Sequence, residues 1–321
     1  MQHKLLIATI MGIAGLNFVG KAQDADALRI MVGGSFAKPK IVPRLEKFAV
    51  TQITVNYKLT STQTTVGKEK SYMGGSKMAG AKITAYLETT DGELTEADFQ
   101  EVTDHFYAYF QKKLKSSGID TVAWSKITAT EFYKDNAEKS EGNDEKEENQ
   151  VKMTTNARNG ARIYGGGTAF AFGKAKKATN FCEEVNAPAG FFHLTVDFAD
   201  LSADVDIKTK RTTRKETTTT KYSSSVKPNM KVVPTANTGL TLLWNEKSQS
   251  ETVIVQKDIS SGYNYQATLT EDASRIKNRA FAFAKSMKPV VIETTREQYK
   301  AAAKKALEKY ADTFIALAKK N

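Results

Sequence analysis

Residues 95–124 read "TEADFQEVTDHFYAYFQKKLKSSGIDTVAW" and give the clearest helix signal in the chain. Thr95 and Asp98 match the capping box with which many helices begin, and Gly118 stands where a C-cap glycine belongs. The residues "IDTVAW" then predict a strand. Between the caps, apolar side chains recur every three or four residues and so share one face of a helix: Phe99, Val102, Phe106, Phe110 and Leu114.

Strands also precede this helix. The runs "FAVTQITVNY", residues 48–57, and "AKITAYLET", residues 81–89, are rich in β-branched and aromatic side chains, so each predicts a strand. Residues 60–80 between them are polar and contain glycine, which predicts a loop. Strand, long helix and strand in this order are typical of an α/β layer.

The second half of the chain is rich in strands. Residues 191–207, "FFHLTVDFADLSADVDI", predict one long strand, and three further runs at regular spacing indicate an antiparallel meander. Helical spacing returns in residues 272–288 and, more strongly, in residues 294–320. The predicted fold class is α/β or α+β, a mixed β-sheet flanked by helices, with the meander in the second half and an amphipathic C-terminal helix.

The N-terminus predicts export. A charged "MQHK" precedes the apolar run "LLIATIMGIAGLNFV", and Gly20 and Ala22 supply the small residues of a cleavage site. No later run is long enough to span a membrane. The formal charge of +11 becomes +9 once Lys4 and Lys21 leave with this signal peptide. We therefore expect a basic protein of the bacterial cell envelope, periplasmic or extracellular, with outer-membrane association left open.

Four parts make up the predicted domain organisation. Residues 1–22 form the signal peptide and residues 23–136 an N-terminal α/β unit. Residues 137–150, "AEKSEGNDEKEENQ", are an acidic loop or linker, because they have almost no apolar side chain to bury. Residues 151–321 form a second β-rich unit with the C-terminal helices, and we expect it to share one core with the first unit.

Two glycine-rich stretches invite comparison with phosphate-binding loops. In "SYMGGSKMAGAKITAYLE", residues 71–88, Ala81 occupies the place of the lysine, and a strand follows where a helix is needed. Gly165–Gly167 precede "TAFAFGK", which alternates like a strand. Both stretches therefore predict loops without a phosphate site.

Candidate catalytic groups are few. After signal removal the histidines are His105 and His193, and the single cysteine is Cys182. Their spacing matches no metal motif, so we expect neither a metal nor another cofactor. An acidic string, Asp197 to Asp206, suits a solvated strand, although paired carboxylates for sugar cleavage can come from distant segments.

Residues 208–225, "KTKRTTRKETTTTKYSSS", are the strongest candidate for a binding segment. They hold six lysines and arginines, seven threonines and one acid, Glu216. Threonine favours an extended chain, so we predict a basic hairpin or an exposed loop. Its charge would attract phosphates of lipopolysaccharide or anionic lipid, and an idle solvated loop is the alternative. The candidate polyanion-binding residues are Lys208, Lys210, Arg211, Arg214 and Lys215.

The order of these elements resembles exported envelope domains related to the curli-secretion channel family and the TolB N-terminal domain. The best-matching stretches are "FAVTQITVNY" and "ITAYLETTDGELTEADFQEVTDHFYAYFQKKLKSSGIDTV". The chain departs from the channel family because it lacks a lipidated cysteine, and residues 208–225 are too polar for a pore strand. The resemblance implies a binding or assembly role without a pore, and no site residue carries over.

Two functions are therefore considered. The first is a non-enzymatic binding or assembly role at the cell envelope, with an envelope protein or an anionic envelope surface as the partner. The second is a hydrolase that acts on an envelope polymer through scattered carboxylates. Nucleic acid is not an expected partner, because the charge is dispersed and the chain carries an export signal.

Overall fold

The computed structural model describes residues 26–32, 38–70, 76–137, 152–165, 172–212, 215–234, 240–272 and 284–319. In the first half, the elements are β1 Leu28–Val32, β2 Lys47–Lys58, β3 Thr60–Lys70, β4 Ser76–Thr89, α1 Glu96–Ser116, β5 Asp120–Thr121, α2 Trp124–Ala129, α3 Glu131–Ala137 and β6 Lys152–Asn156. In the second half, they are α4 Phe172–Val185, β7 Ala189–Thr212, β8 Lys215–Val232, β9 Leu240–Trp244, β10 Ser250–Val255, β11 Ile259–Ser260, β12 Thr268–Glu271, β13 Ala284–Ser286, β14 Val290–Thr294 and α5 Arg296–Ala318.

The larger of two sheets runs in the order β1-β10-β9-β7-β2-β5. β6 also pairs with β2, β8 pairs with β7, and β11 pairs with β8. The central strands β2 and β7 are parallel, from Ala49 opposite Ala189 to Tyr57 opposite Val196. Both strands are buried on both faces over this stretch, as expected when helices cover a parallel pair on two sides.

Helices α1 and α5 cover one face of this sheet. Four phenylalanines from four elements meet there, with ring centroids of Phe110 and Phe192 5.1 Å apart and those of Phe110 and Phe314 5.5 Å apart. The ring of Phe48 lies 6.1 Å from that of Phe192 in an edge-to-face arrangement. All four side chains are fully buried, so this cluster forms the centre of the main core.

Helices α2, α3 and α4 cover the opposite face. Phe132 of α3 packs on Phe181 of α4 and on Phe191 of β7, at ring distances of 5.2 and 6.3 Å. Helix α4 turns a buried stripe toward the sheet with the spacing of a helix: Ala178, Phe181, Cys182 and Val185. The larger sheet therefore lies between two helical layers.

Helices α1 and α5 run in the same direction, and ion pairs hold them side by side. Arg296 contacts Asp98 at 2.7 Å, and Lys300 contacts Glu101 at 2.9 Å. The capping box between Thr95 and Asp98 is present as predicted. Hydrogen bonds from Thr95 and the guanidinium of Arg296 outweigh the effect of burial and lower the pKa of Asp98 to about 2.

The smaller sheet contains β3, β4, β12, β13 and β14. β3 and β4 form a long antiparallel hairpin, from Thr60 opposite Tyr86 to Lys70 opposite Ser76. β13 and β14 lie parallel to β4 along its other edge. β2 and β3 are separated by Leu59 alone, so one run of chain passes from the larger sheet into the smaller one.

The predicted fold class is confirmed. The described residues combine mixed sheets with five helices, the second half contains antiparallel strand pairs, and the chain ends in helix α5. The main core draws on both halves of the sequence, with Phe48 and Phe110 from the first and Phe192 and Phe314 from the second. Among the described helices, none has the length and hydrophobicity needed to cross a membrane.

The prediction of a loop at residues 60–80 is wrong. Residues 60–70 form β3 and residues 76–80 begin β4, while residues 71–75 lie outside the described part. The sequence does not predict this hairpin because its packed face carries Gly67, Ala79 and Ala81 instead of large apolar side chains. Gly80 and Lys82 lie within β4, away from any helix N-terminus, which agrees with the rejection of a phosphate loop at residues 71–88.

Three other local predictions need correction. "IDTVAW" supplies only the two-residue strand β5, because Trp124 begins α2 and packs against Tyr107 and Tyr133. The strand-like "TAFAFGK" leads into α4 at Phe172, since a short apolar run suits either structure until a partner surface selects one. The helix predicted over 272–288 is not helical at its end, where Ala284–Ser286 form β13.

Several predictions fall outside the described residues. These are the signal peptide at residues 1–22, nearly all of the acidic stretch 137–150, the glycines 166 and 167, and residues 273–283.

Replacement of Gly190 by alanine tests the central contact of the sheet. A Cβ at this position would lie 2.9 Å from Cε2 of Phe48 and closer still to its Cζ. We expect Gly190→Ala to lower the free energy of unfolding by about 1–3 kcal/mol, measured by urea denaturation, because the ring cluster cannot move aside freely. Gly165→Ala is the control, since its Cβ would make only an ordinary 3.9 Å contact with Arg162. Equal stability of the two variants would contradict this prediction.

Candidate functional site

Two long hairpins lie against each other. The first hairpin is β3 with β4. The second hairpin consists of residues 199–212 of β7 and residues 215–228 of β8, where β7 has left β2 and β9 and pairs with β8 alone. Contact between β3 and β7 joins the two hairpins. We call the two hairpins together the arm.

Small and β-branched side chains build the interface inside the arm. Ala81 of the first hairpin is buried against Val205 and Ile207 of the second. Gly67 allows the closest approach, because a Cβ there would lie 2.7 Å from the backbone oxygen of Val205. Alternate residues of each strand point into this interface, and the others face outward.

The two hairpins contact each other through strand residues close to their tips, at one end of the arm. Lys77, near the tip of the first hairpin, forms an ion pair with Glu216 of the second and donates a hydrogen bond to Thr218 at 2.5 Å. Only 8% of the Glu216 side chain is exposed. Lys77 therefore already neutralises the acid that lies among the predicted polyanion-binding residues.

The structure separates those predicted residues into three groups. Lys208, Lys210 and Lys215 lie on the outward face of the second hairpin, where Lys208 contacts Asp206 at 3.2 Å with 67% of its side chain exposed. Arg211 lies on the opposite face, across from Glu216. Arg214 lies outside the described residues. The predicted basic hairpin is present, but its cations face two sides.

The first hairpin adds cations that sequence reasoning missed. Lys68, Lys70 and Lys77 lie close to its tip, with Glu69 as the accompanying acid. With residues 60–80 predicted as a loop, these lysines were not counted as binding candidates. The lysine-rich run "GKEK" at residues 67–70 could have indicated them. Together the two hairpins gather these basic residues at the tip: Lys68, Lys70, Lys77, Lys208, Lys210, Arg211 and Lys215.

Two lysines, one partly buried and one buried, bind the carboxylates at the base of the arm. Lys58 at the end of β2 donates to Asp197 of β7 at 2.8 Å. Lys231 of β8 forms ion pairs with Asp200 and Asp258, the latter at 2.6 Å. Burial alone would lower the pKa of Lys231, but the hydrogen bonds to both carboxylates raise it above its ordinary value.

Asp200 and Asp258 both contact Nζ of Lys231, so a lysine occupies the space between these carboxylates where a glycoside hydrolase would hold its sugar substrate. Asp197 and Asp200 are held by lysines, as described above. A cavity of about 590 Å³ lies between β8 and the smaller sheet, and its acidic lining residue, Glu271, is 3.0 Å from Lys288. In the part of the chain that the structure describes, no group of three His, Cys, Asp or Glu side chains could hold a metal ion.

His193 is fully buried in a network of polar side chains on the larger sheet. Thr154 donates to Oδ1 of Asn56 at 2.7 Å, so Nδ2 of Asn56 is the donor to Nε2 of His193 at 2.8 Å. Burial lowers the pKa of His193 to about 4, and the charges of Arg162 and Lys152 contribute to the lowering. The imidazole is therefore a neutral acceptor at pH 7.

Cys182 and His193 have separate partners. The Cys182 thiol lies 3.4 Å from the backbone oxygen of Trp244, and burial raises its pKa to about 12. Such a thiol is not a nucleophile at neutral pH. Nε2 of His105 lies 2.8 Å from Glu308 in the contact between α1 and α5, where it links the two helices.

Because His193 is buried and neutral, we expect the protein to lose stability in acid. The folded protein keeps His193 neutral down to about pH 4, while the unfolded chain binds a proton at its ordinary value of about 6.5. Stability should therefore fall between these two values by up to about 3 kcal/mol. We expect His193→Gln to have a shallower dependence of unfolding free energy on pH from 7 to 4.5, measured in urea. Identical slopes for both proteins would contradict this assignment.

Comparison of the chain with family models, with curated proteins and with solved structures found no match. The resemblance to the curli-secretion channel family and the TolB N-terminal domain therefore stays a prediction from the order of elements.

Proposed function

We propose that this protein is a non-enzymatic, exported protein of the bacterial cell envelope that binds a polyanionic envelope component through the tip of its arm. The observation that carries the proposal is the convergence of two separate lysine-rich hairpins at one end. The N-terminal signal and the positive net charge of the chain support it. In this proposal the helical layers serve as the scaffold.

The charge of the tip is suited to a phosphate-rich surface. Each lysine or arginine near such a surface contributes roughly 1 kcal/mol of attraction at low salt. Exposed ion pairs such as that between Lys208 and Asp206 contribute little free energy, so they do not cancel this attraction. Lys77 already neutralises Glu216, and Glu69 and Asp206 offset only part of the charge of the remaining cations at the tip. Several weak contacts together would give attachment that depends strongly on salt.

The alternative of a hydrolase has less support. It needs two facing carboxylates, one able to give up and one able to accept a proton. The carboxylates of Asp197 and Asp200 at the base of the arm are bound by Lys58 and Lys231 instead. No observation on the described residues favours this function over binding.

Removal of charge from the second hairpin tests the proposal. We expect the variant in which Lys208, Lys210, Arg211, Arg214 and Lys215 are all replaced by glutamine to lose most of its affinity for immobilised inorganic polyphosphate at low salt. The wild-type protein should elute as salt is raised, since exposed charges are screened over about 8 Å at physiological ionic strength.

The control removes the same charge elsewhere. The control variant replaces five exposed lysines of helices α1 to α4 by glutamine: Lys112, Lys115, Lys126, Lys134 and Lys176. This variant should keep wild-type retention. If both variants lose affinity equally, net charge alone explains binding, and the tip has no special role.

Export gives a separate prediction. Cleavage after Ala22 should leave a mature protein that begins at Gln23 and is recovered from the envelope or medium of the producing bacterium. N-terminal sequencing and cell fractionation check this. Recovery of the full-length chain from the cytoplasm would contradict the export part of the proposal.

A further inference from the structure

The half of the first hairpin nearer its tip has a basic outward face, from Thr62 to Lys70 of β3 and from Ser76 to Thr84 of β4. Residues directly opposite each other share a face, so the strand register defines its members. Ten residues form this part of the face. Three of them are lysines and none is acidic, since Glu69 points to the other face. The ten residues are Thr62, Thr64, Val66, Lys68 and Lys70 of β3 with Ser76, Met78, Gly80, Lys82 and Thr84 of β4.

Two apolar side chains are exposed on this same face. Val66 is 41% exposed and Met78 is 45% exposed. Val66 lies opposite Gly80, and Met78 lies opposite Lys68, so the two side chains are diagonal neighbours across the hairpin. Gly80 has no side chain to cover Val66. The face therefore presents an apolar pair next to lysines.

We propose that this face lies on an anionic lipid bilayer. Val66 and Met78 enter the headgroup layer, and Lys68, Lys70 and Lys82 contact lipid phosphates. The inference rests on the proposed function and names its partner. A soluble polyanion would satisfy the lysines but leave both apolar side chains in water, whereas the surface of an anionic bilayer accepts both kinds of group.

The two hairpins then have different roles. The second hairpin lies one layer behind the first, and such layers are about 10 Å apart. This distance already exceeds the screening length of about 8 Å at physiological salt. Lys208, Lys210 and Lys215 point away from the first hairpin and so lie farther still from the bilayer. They add little to this attraction, and the first hairpin makes the contact itself.

Vesicle binding separates these roles. The probes are vesicles of phosphatidylglycerol mixed with phosphatidylcholine, vesicles of phosphatidylcholine alone, and soluble polyphosphate. We expect the double variant Val66→Ser, Met78→Ser to bind anionic vesicles about tenfold more weakly, because less apolar area leaves water. Its affinity for polyphosphate should not change. The control Met31→Ser, Leu269→Ser removes two equally exposed apolar side chains elsewhere and should bind vesicles like the wild type.

A label at Met78 reports contact directly. A Met78→Cys variant carries an environment-sensitive dye, and the buried Cys182 should stay unlabelled. Its emission should shift to the blue with anionic vesicles and stay unchanged with phosphatidylcholine alone. The same dye on a Met31→Cys variant should show no shift with either vesicle.

The outcomes distinguish the two proposals. If the wild-type protein binds neither polyphosphate nor anionic vesicles, the proposed function is wrong and this inference falls with it. If it binds both, but the Val66 and Met78 variant partitions like the wild type and the label at residue 78 does not shift, only the lipid contact is wrong. Weaker vesicle binding by that variant together with a blue shift at residue 78 supports the inference.

Discussion

Gly190 of β7 lies against the ring of Phe48 on the neighbouring strand β2, in a space where no Cβ could fit. This contact lets the two strands pair in parallel while Phe48 joins the rings of Phe110, Phe192 and Phe314 above them. Helices α1 and α5 supply two of those rings. β2 leads into the first hairpin, and β7 continues into the second. The pairing of β2 with β7 therefore sets the direction in which both hairpins begin.

The base of the arm is held by buried charges. Asp197 and Lys231 belong to the two strands of the second hairpin, and each binds a group of opposite charge from another segment, Lys58 and Asp258 respectively. A buried ion without its partner is strongly destabilising, so these pairs restrict the positions that β7 and β8 can take where they leave the larger sheet. One of these pairs holds Asp197, a carboxylate of the acidic string considered for sugar cleavage.

Beyond that base, a narrow interface joins the two hairpins of the arm. Gly67, Ala81 and Val205 bring the two backbones close, and little apolar area is buried there. The outward faces are therefore left for other tasks. One carries lysines with two exposed apolar side chains, and the other carries lysines with aspartates. The proposed binding role rests on this cationic tip, with the two helical layers as its scaffold.

Elements with a strong local signal can be predicted from the sequence. The apolar period of α1, its capping box and the apolar stripe of α5 are properties of neighbouring residues, and so is the basic composition of residues 208–225. The hairpin of β3 and β4 became visible in the folded protein alone, because Gly67 and Ala81 bury little area and leave no hydrophobic period. Only the tertiary structure brought Lys77 to Glu216 and Asn56 to His193, since each pair lies more than a hundred residues apart in the chain. Such contacts depend on how separate strands pair, and a single chain's local pattern contains no information about that pairing.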